Sequence, residues 1–210
     1  MPKKVDHHVR RTQIAAALMR VAATHGLQAI SLRHVAAEAG VSAGMVQHYF
    51  RTKDQMMTFA LEVVSDNVQA RLAAVAADLD DPGSPKAAVR ALLVQMLPLD
   101  EQRHLEGHVG LAFHAYAAIR PAIADQLRAG TEQLWAFLAD RIRAAQRSGD
   151  APAALDPAGA AITLSALVEG LSLQVLNRYY PPETALDVFD AHLCTVFGPP
   201  TDDPAPGTVG

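Results

Sequence analysis

The sequence predicts an all-α protein of about nine helices, and three observations carry that reading. Alanine and leucine recur at helical spacing along the whole chain. No long run of alternating β-branched residues occurs, and neither Asn-Gly nor Asp-Gly, the short hairpin turns, is present. Glycine, proline and capping residues interrupt the apolar runs at intervals of a helix length. With 50% hydrophobic residues in 210, there is enough apolar material for a core, which excludes global disorder.

The elements follow in order. A first helix is expected from about His7 to His25, with Ile14, Leu18, Val21 and Ala22 on one face and Gly26 as its stop. Ser31 can cap a short second helix, Leu32 to Ala39, ended by Gly40. Ser42 can cap a third, Ala43 to Phe50, and Thr52 a long fourth from Lys53 to about Leu79. Asp80-Asp81-Pro82-Gly83-Ser84-Pro85 reads as a loop and as the seam between head and body. The fifth helix, Lys86 to Leu97, is closed by Pro98, and the sixth, Glu101 to Ile119, by Pro121. The seventh, Ala122 to Arg147, stops at Ser148-Gly149. The eighth runs from Ala158 to Tyr179 before Pro181-Pro182, and the ninth from Glu183 to Phe197. The tail, 198–210, is expected to be disordered. No repeat at a fixed period is visible.

Charge is unevenly placed. Residues 1–54 hold eight basic and three acidic residues, net +5, and the remainder ten basic and nineteen acidic, net −9. A basic head on an acidic body suggests that the head meets a polyanion. The single cysteine, Cys194, excludes an internal disulfide framework and fits a reducing cytoplasm, where it is expected to be simply packed. The start of the chain is polar and basic, unlike a secretion signal. The most apolar stretch, Ala158 to Leu176, is broken by Glu169 and Gln174 and reads as a bundle helix rather than a membrane span.

Residues 32–50 carry the sharpest signal. A helix-turn-helix needs two short helices crossing steeply about a tight turn. Ala36 is small enough for close helix approach, and Gly40, four residues on, can take the left-handed conformation of the turn. Val35, Val41, Val46 and Tyr49 can fill the small core between the helices. On a helical wheel Met45, Val46 and Tyr49 face that core, and Ala43, Gly44, Gln47 and His48 face outward. Small residues let the third helix sink into a major groove. Gln47 can pair with an adenine edge and His48 can donate to a phosphate or a base. The helix start at Ser42 favours a phosphate, and Lys53 can reach another. Ser31, Arg33 and His34, at the start of the second helix, can meet the flanking backbone.

Residues 12–60 resemble the DNA-binding domain of TetR-family transcriptional regulators. The resemblance rests on Gly26, Ser31, Ala36, Gly40-Val41-Ser42, Gly44, Tyr49-Phe50 and Lys53. Many members have tyrosine where this chain has Gln47, so the usual tyrosine contact is not carried over. Residues 100–126, DEQRHLEGHVGLAFHAYAAIRPAIADQ, more loosely resemble the C-terminal branch of betaine regulators, and betaine itself is not inferred from that. The family implies an Ω-shaped all-α homodimer with a ligand cavity in each body, and release of DNA on ligand binding. It also implies that coupling passes along the fourth helix. These readings divide the chain into a DNA-binding head, 1–54, a ligand-binding and dimerisation body, 55–197, and the tail.

In the body, the eighth helix is apolar nearly all round and needs cover on two sides. Paired with the ninth across a two-fold axis, it would form a four-helix dimer interface. Polar residues within apolar helices are the candidate ligand contacts: His104, His108, His114, Tyr116, Trp135, Glu169, Ser172 and Asn177. A carboxylate in so apolar a run as that around Glu169 needs a partner, whether a histidine, an arginine or a cationic ligand. The expected ligand is therefore mostly apolar, and cationic if Glu169 meets it.

Enzyme signatures are missing. His104 and His108 sit at i and i+4, but Glu106 points about 200° from His104, and no Pro-Cys-x-x-Cys accompanies them. No Gly-x-Ser-x-Gly, phosphate loop or dinucleotide fingerprint occurs. No enzyme, cofactor, metal or membrane partner is expected. The reading is a homodimeric, ligand-released repressor on a pseudo-palindromic DNA operator. The alternative is a helical small-molecule- or lipid-binding protein that reads no operator, for which the 32–50 pattern has no use.

Overall fold

The structure is a computed structural model. It describes residues 2–26, 29–77 and 84–198, with the side chains of 2–8, 75–77, 122, 123 and 126 left aside. These residues form nine helices and no strand: α1 (Pro2–His25), α2 (Leu32–Glu38), α3 (Ala43–Tyr49), α4 (Lys53–Ala77), α5 (Pro85–Val94), α6 (Glu101–Ala117), α7 (Pro121–Ser148), α8 (Pro157–Leu176) and α9 (Pro182–Phe197). The expected loop at 80–83, the end of the fourth helix beyond Ala77 and the tail beyond Gly198 lie outside the described residues.

Local chemistry sets the boundaries of the short helices. Ser31 Oγ accepts from the His34 N–H at 3.1 Å, Ser42 Oγ from Met45 N–H at 3.1 Å, and Thr52 Oγ1 from Gln55 N–H at 3.1 Å. Each cap contributes about 1 kcal/mol by satisfying an orphan donor. Three helices, α5, α6 and α8, stop earlier than the prolines suggest. α5 ends at Val94 because Met96 and Leu97 bond back to Leu93 and Val94 in a tight turn that buries Leu97. α8 ends at Leu176 because Arg178 turns left-handed, at φ 60°, and Tyr179 N–H bonds back to Gln174 O at 3.0 Å. α6 ends at Ala117 rather than Ile119, and α1 starts at Pro2 rather than His7.

Two hydrophobic cores follow. The first joins α1, α2 and α3 to the first half of α4, through Met56, Met57, Phe59, Ala60 and Val63, and to the second half of α6, through Val109, Phe113, Tyr116 and Ala117. The second joins α5, the end of α7, α8 and α9. Residue 54 thus marks a change in sequence character, not a break in packing. The C-terminal half of α6 is built into the head.

α8 packs on α7 and α9, with α5 and α6 alongside. Its inner face holds Ala161, Leu164, Val168 and Val175. Its other face carries Ile162, Ala166, Glu169 and Leu173, all exposed at the i, i+4, i+7, i+11 spacing of one stripe. By length and composition α8 could cross a membrane. Its inner face is instead part of the second core.

Candidate nucleic-acid interface and the body behind it

The head is a helix-turn-helix. Gly40 takes φ 66°, and Val41 N–H then reaches Ala36 O at 3.0 Å, closing the turn between α2 and α3. Gln13 of α1 braces it by donating to Ala39 O at 3.2 Å. Val35, Ala36 and Val46 are buried, and Val41 and Tyr49 pack half-buried against them. Arg11 of α1 lies 4.0 Å from the Phe59 ring centroid and 5.1 Å from that of Phe50, tying α1 to the end of α3 and to α4.

α3 presents Ala43, Gly44, Gln47 and His48 to solvent, the outward set expected from the wheel. Met45 departs from expectation. It is 38% exposed, because a helix of seven residues buries one line of side chains, here centred on Val46, and Met45 falls at its rim. Arg33 is exposed. His34 is turned inward: its Nδ1 lies 3.1 Å from Ala29 O, and its ring stacks on His25 at 4.9 Å. Ser31 and Ser42 spend their hydroxyls on caps, and Tyr49 sets its ring edge-on to His48 at 5.2 Å.

Lys53, at the start of α4, is half-buried with Nζ 5.6 Å from the Tyr116 ring centroid. Burial, then the nearby Arg120 charge, push its pKa below the ordinary lysine value, while Asp54 opposes them. Tyr116 donates its hydroxyl to Asp54 Oδ1, and Arg120 Nε lies 3.5 Å from the same oxygen. The Arg120 guanidinium stacks over the Tyr116 ring at 4.0 Å. Burial, with the Asp54 hydrogen bond and charge, pushes the Tyr116 phenol up to about 12.

The candidate ligand contacts of the body do not gather at one point. His114, Glu169 and Asn177 are exposed, and Tyr116 is taken up by Asp54. Ser172 donates to Met96 O at 2.5 Å, tying α8 to the α5–α6 turn. His108 Nδ1 lies 2.8 Å from His104 O, so one ring nitrogen of that pair is occupied by backbone. Among the described residues no three His, Cys, Asp or Glu side chains are grouped to hold a metal. Trp135 is half-buried, and its Nε1 is enclosed with no hydrogen-bond partner.

The buried acid of the body is Glu106, not Glu169. Glu106 is 6% exposed and accepts from Arg71 at 2.7 and 3.2 Å, from Asn67 at 2.9 Å and from Gln102 at 3.0 Å. Burial alone would raise its pKa. The hydrogen bonds from Arg71, Gln102 and Asn67 outweigh it and hold the carboxyl below the usual range. Arg71 Nε also donates to Gln95 Oε1 at 2.9 Å, linking α4, α5 and α6 in one network. Sequence reasoning missed Asp54, Arg120, Arg71, Asn67 and Gln95. Each pairs with a residue at least 24 positions away or on another helix, and no local spacing announces that.

Residues 14–58 match the family of bacterial regulatory proteins called tetR, and residues 85–198 match the BetI-type transcriptional repressor C-terminal family. The chain belongs to the TetR family. It is 36% identical over 181 residues to the HTH-type transcriptional regulator PksA of Bacillus subtilis (strain 168), covering 84% of this chain and 83% of that relative. A crystal structure of a transcriptional regulator from Rhodococcus sp. Rha1 superposes with a TM-score of 0.75 at 36% identity, covering 89% of this chain and 95% of the other. A regulator from Saccharomonospora viridis, solved in complex with choline, shares the fold with a TM-score of 0.76 at 23% identity, covering 87% and 94%. Its relatives are transcriptional regulators, not enzymes. Family members bind DNA operators and small molecules, and this TetR-family chain is a transcriptional regulator with the helix-turn-helix described above.

Proposed function

We propose that this regulator acts in the cytoplasm as a homodimeric repressor on a pseudo-palindromic operator, and that a small molecule bound in the body releases it. It works by binding, without catalysis. The observation that carries the reading is the exposed face of α3. Gln47 and His48 stand beside Ala43 and Gly44, which are small enough for the helix to enter a major groove. Gln47 reads a base edge, while Arg33, His48 and Lys53 meet phosphates.

The dimer is built on α8 and α9. α8 leaves Ile162 45% and Leu173 41% exposed on one stripe, and α9 leaves Val188 44% exposed. Two such faces meeting across a two-fold axis would bury them. Glu169 lies in the middle of the α8 stripe, so we assign it to this interface rather than to the ligand cavity. The ligand is mostly apolar, and its proposed contacts are Trp135 of α7, whose enclosed Nε1 has no partner, and His104 and His108 of α6. Glu106 is already neutralised by Arg71 and offers no bare charge to a cation. An inducer must favour the DNA-incompetent state, or it shifts nothing.

The test is the mass of the complex on a DNA fragment that the protein itself selects. Two chains per fragment are expected, and Ile162→Arg with Leu173→Arg should give monomers that lose the fragment. A wild-type monomer bound alone to a site without dyad symmetry would overturn the reading.

A further inference from the structure

α6 is fastened to α4 in antiparallel fashion at two places. Near its start, Glu106 is clamped by Arg71 and Asn67 of α4. Gly107, one residue on, lies so close to α8 that a Cβ there would sit 3.2 Å from Leu176 Cδ1. Near its end, Tyr116 grips Asp54 in the first turn of α4, and Arg120, at the α6–α7 corner, backs the same carboxylate. From Asp54 the path to the recognition helix is short and stiff. Thr52 caps α4, Phe50 caps the end of α3 and is 1% exposed, and Arg51 N–H bonds to Gln55 Oε1 at 2.9 Å. Phe50 belongs to the packed interior, which switches between discrete arrangements rather than yielding smoothly, so a shift of the first turn of α4 is carried to the end of α3.

We propose that Tyr116 and Arg120 are positioning residues of the DNA surface: they hold Asp54, and through it the first turn of α4, so that α6 sets the placement of Lys53 and α3 directly. This deepens the regulator reading and rests on it. The body therefore reaches the head by two routes. One is the length of α4. The other is this latch, which bypasses that length and bears on the helix next to the recognition helix. A ligand lodged against the start of α6 would move both ends of a rigid rod and strain the latch first at Tyr116, because the hydroxyl of a buried phenol has one acceptor here and no slack.

The experiment uses the full chain and the DNA fragment it enriches from a random pool. Tyr116→Phe keeps the ring and its packing but removes the hydroxyl. Operator affinity should fall about tenfold, the size of one charge-assisted hydrogen bond. The slope of log affinity against log salt should flatten by about one per chain, as when a phosphate contact is lost. In a double-mutant cycle, Lys53→Ala should add little to Tyr116→Phe. If Tyr116→Phe fails to fold, Asp54→Asn, which keeps an acceptor for the phenol but weakens Arg120, takes the same measurements with a smaller loss of the same kind. A lower melting temperature with unchanged affinity and salt slope would make Tyr116 structural only and overturn the proposal. So would full additivity with Lys53→Ala. If the wild-type chain enriches no sequence, the regulator reading falls and takes the latch with it; if the wild type selects a site and Tyr116→Phe binds it equally well, the latch alone falls.

Discussion

Removing Arg71 isolates what the buried network contributes. The Arg71→Met variant keeps most of the side-chain volume but leaves the Glu106 carboxylate, whose side chain is 5% exposed, without its cation. Breaking a buried ion pair from one side costs about 3–5 kcal/mol, since the remaining charge stays desolvated. Asn67 and Gln102 still donate to Glu106, which places the expected loss near the lower end, about 3 kcal/mol. For a chain of this size that lowers the melting temperature by roughly 6–12 °C. The pH dependence supplies a second signature. In the wild type the folded-state pKa of Glu106 is depressed, so its contribution is full above the unfolded value near 4.5 and is lost as pH falls through the folded value. In Arg71→Met only the Asn67 and Gln102 hydrogen bonds oppose burial, so the folded value rises above that of the wild type, and acid neutralises the stranded carboxylate and relieves the penalty. The gap between the two proteins should therefore narrow as pH falls from 7 toward about 4.5. Melting curves across that range check it. A gap under 2 °C at pH 7, or one that widens in acid, would refute the buried-charge argument.

Other outcomes follow from single contacts. Gln47→Ala should relax preference at one base pair by about 1–3 kcal/mol and leave random-sequence binding unchanged; equal losses on selected and random DNA would remove its reading role. Lys53→Ala should weaken all sequences alike and flatten the salt slope by about one per chain, as measured by titration at several salt concentrations. Ser42→Ala removes the α3 cap and should lower stability by about 1 kcal/mol in a denaturant melt. Gly107→Val should destabilise the body, because its first carbon already presses Leu176, and a thermal melt matching the wild type would show that the two helices can part without cost.

The head was legible in the sequence because its determinants are local. Ser31, Ser42 and Thr52 cap helices three residues ahead of the donors they satisfy, and Gly40 closes a turn that runs only from Ala36 to Val41. Val35, Val46 and the outward Gln47 and His48 follow from helical periodicity alone. Met45 did not, because the wheel ranks directions and a short helix has only one deep one. The body was legible as helices and apolar faces, and α8 showed its two-sided apolar character. Its polar interior was not. A carboxylate within an apolar run singles out Glu169, yet that residue sits on the open stripe, and the acid that is buried, Glu106, lies in a helix of mixed polarity. Which acid is buried depends on which cation arrives from another helix, as Arg71 does from 35 positions away. Tyr116 was singled out as a ligand contact for its polarity in a helix, but its hydroxyl is taken by Asp54, 62 positions distant at the start of α4, and no local spacing announces that partner.

The central claim is that the exposed face of α3 reads DNA sequence as one half of a two-fold dimer. Sequencing the fragments that the purified full-length protein enriches from a random DNA pool tests it most directly. An inverted repeat is expected, with half-sites about one DNA turn apart, or a multiple of it, and one base pair per half-site whose preference disappears in Gln47→Ala. Enrichment of no motif, or of a motif without dyad symmetry that Gln47→Ala leaves intact, would contradict it.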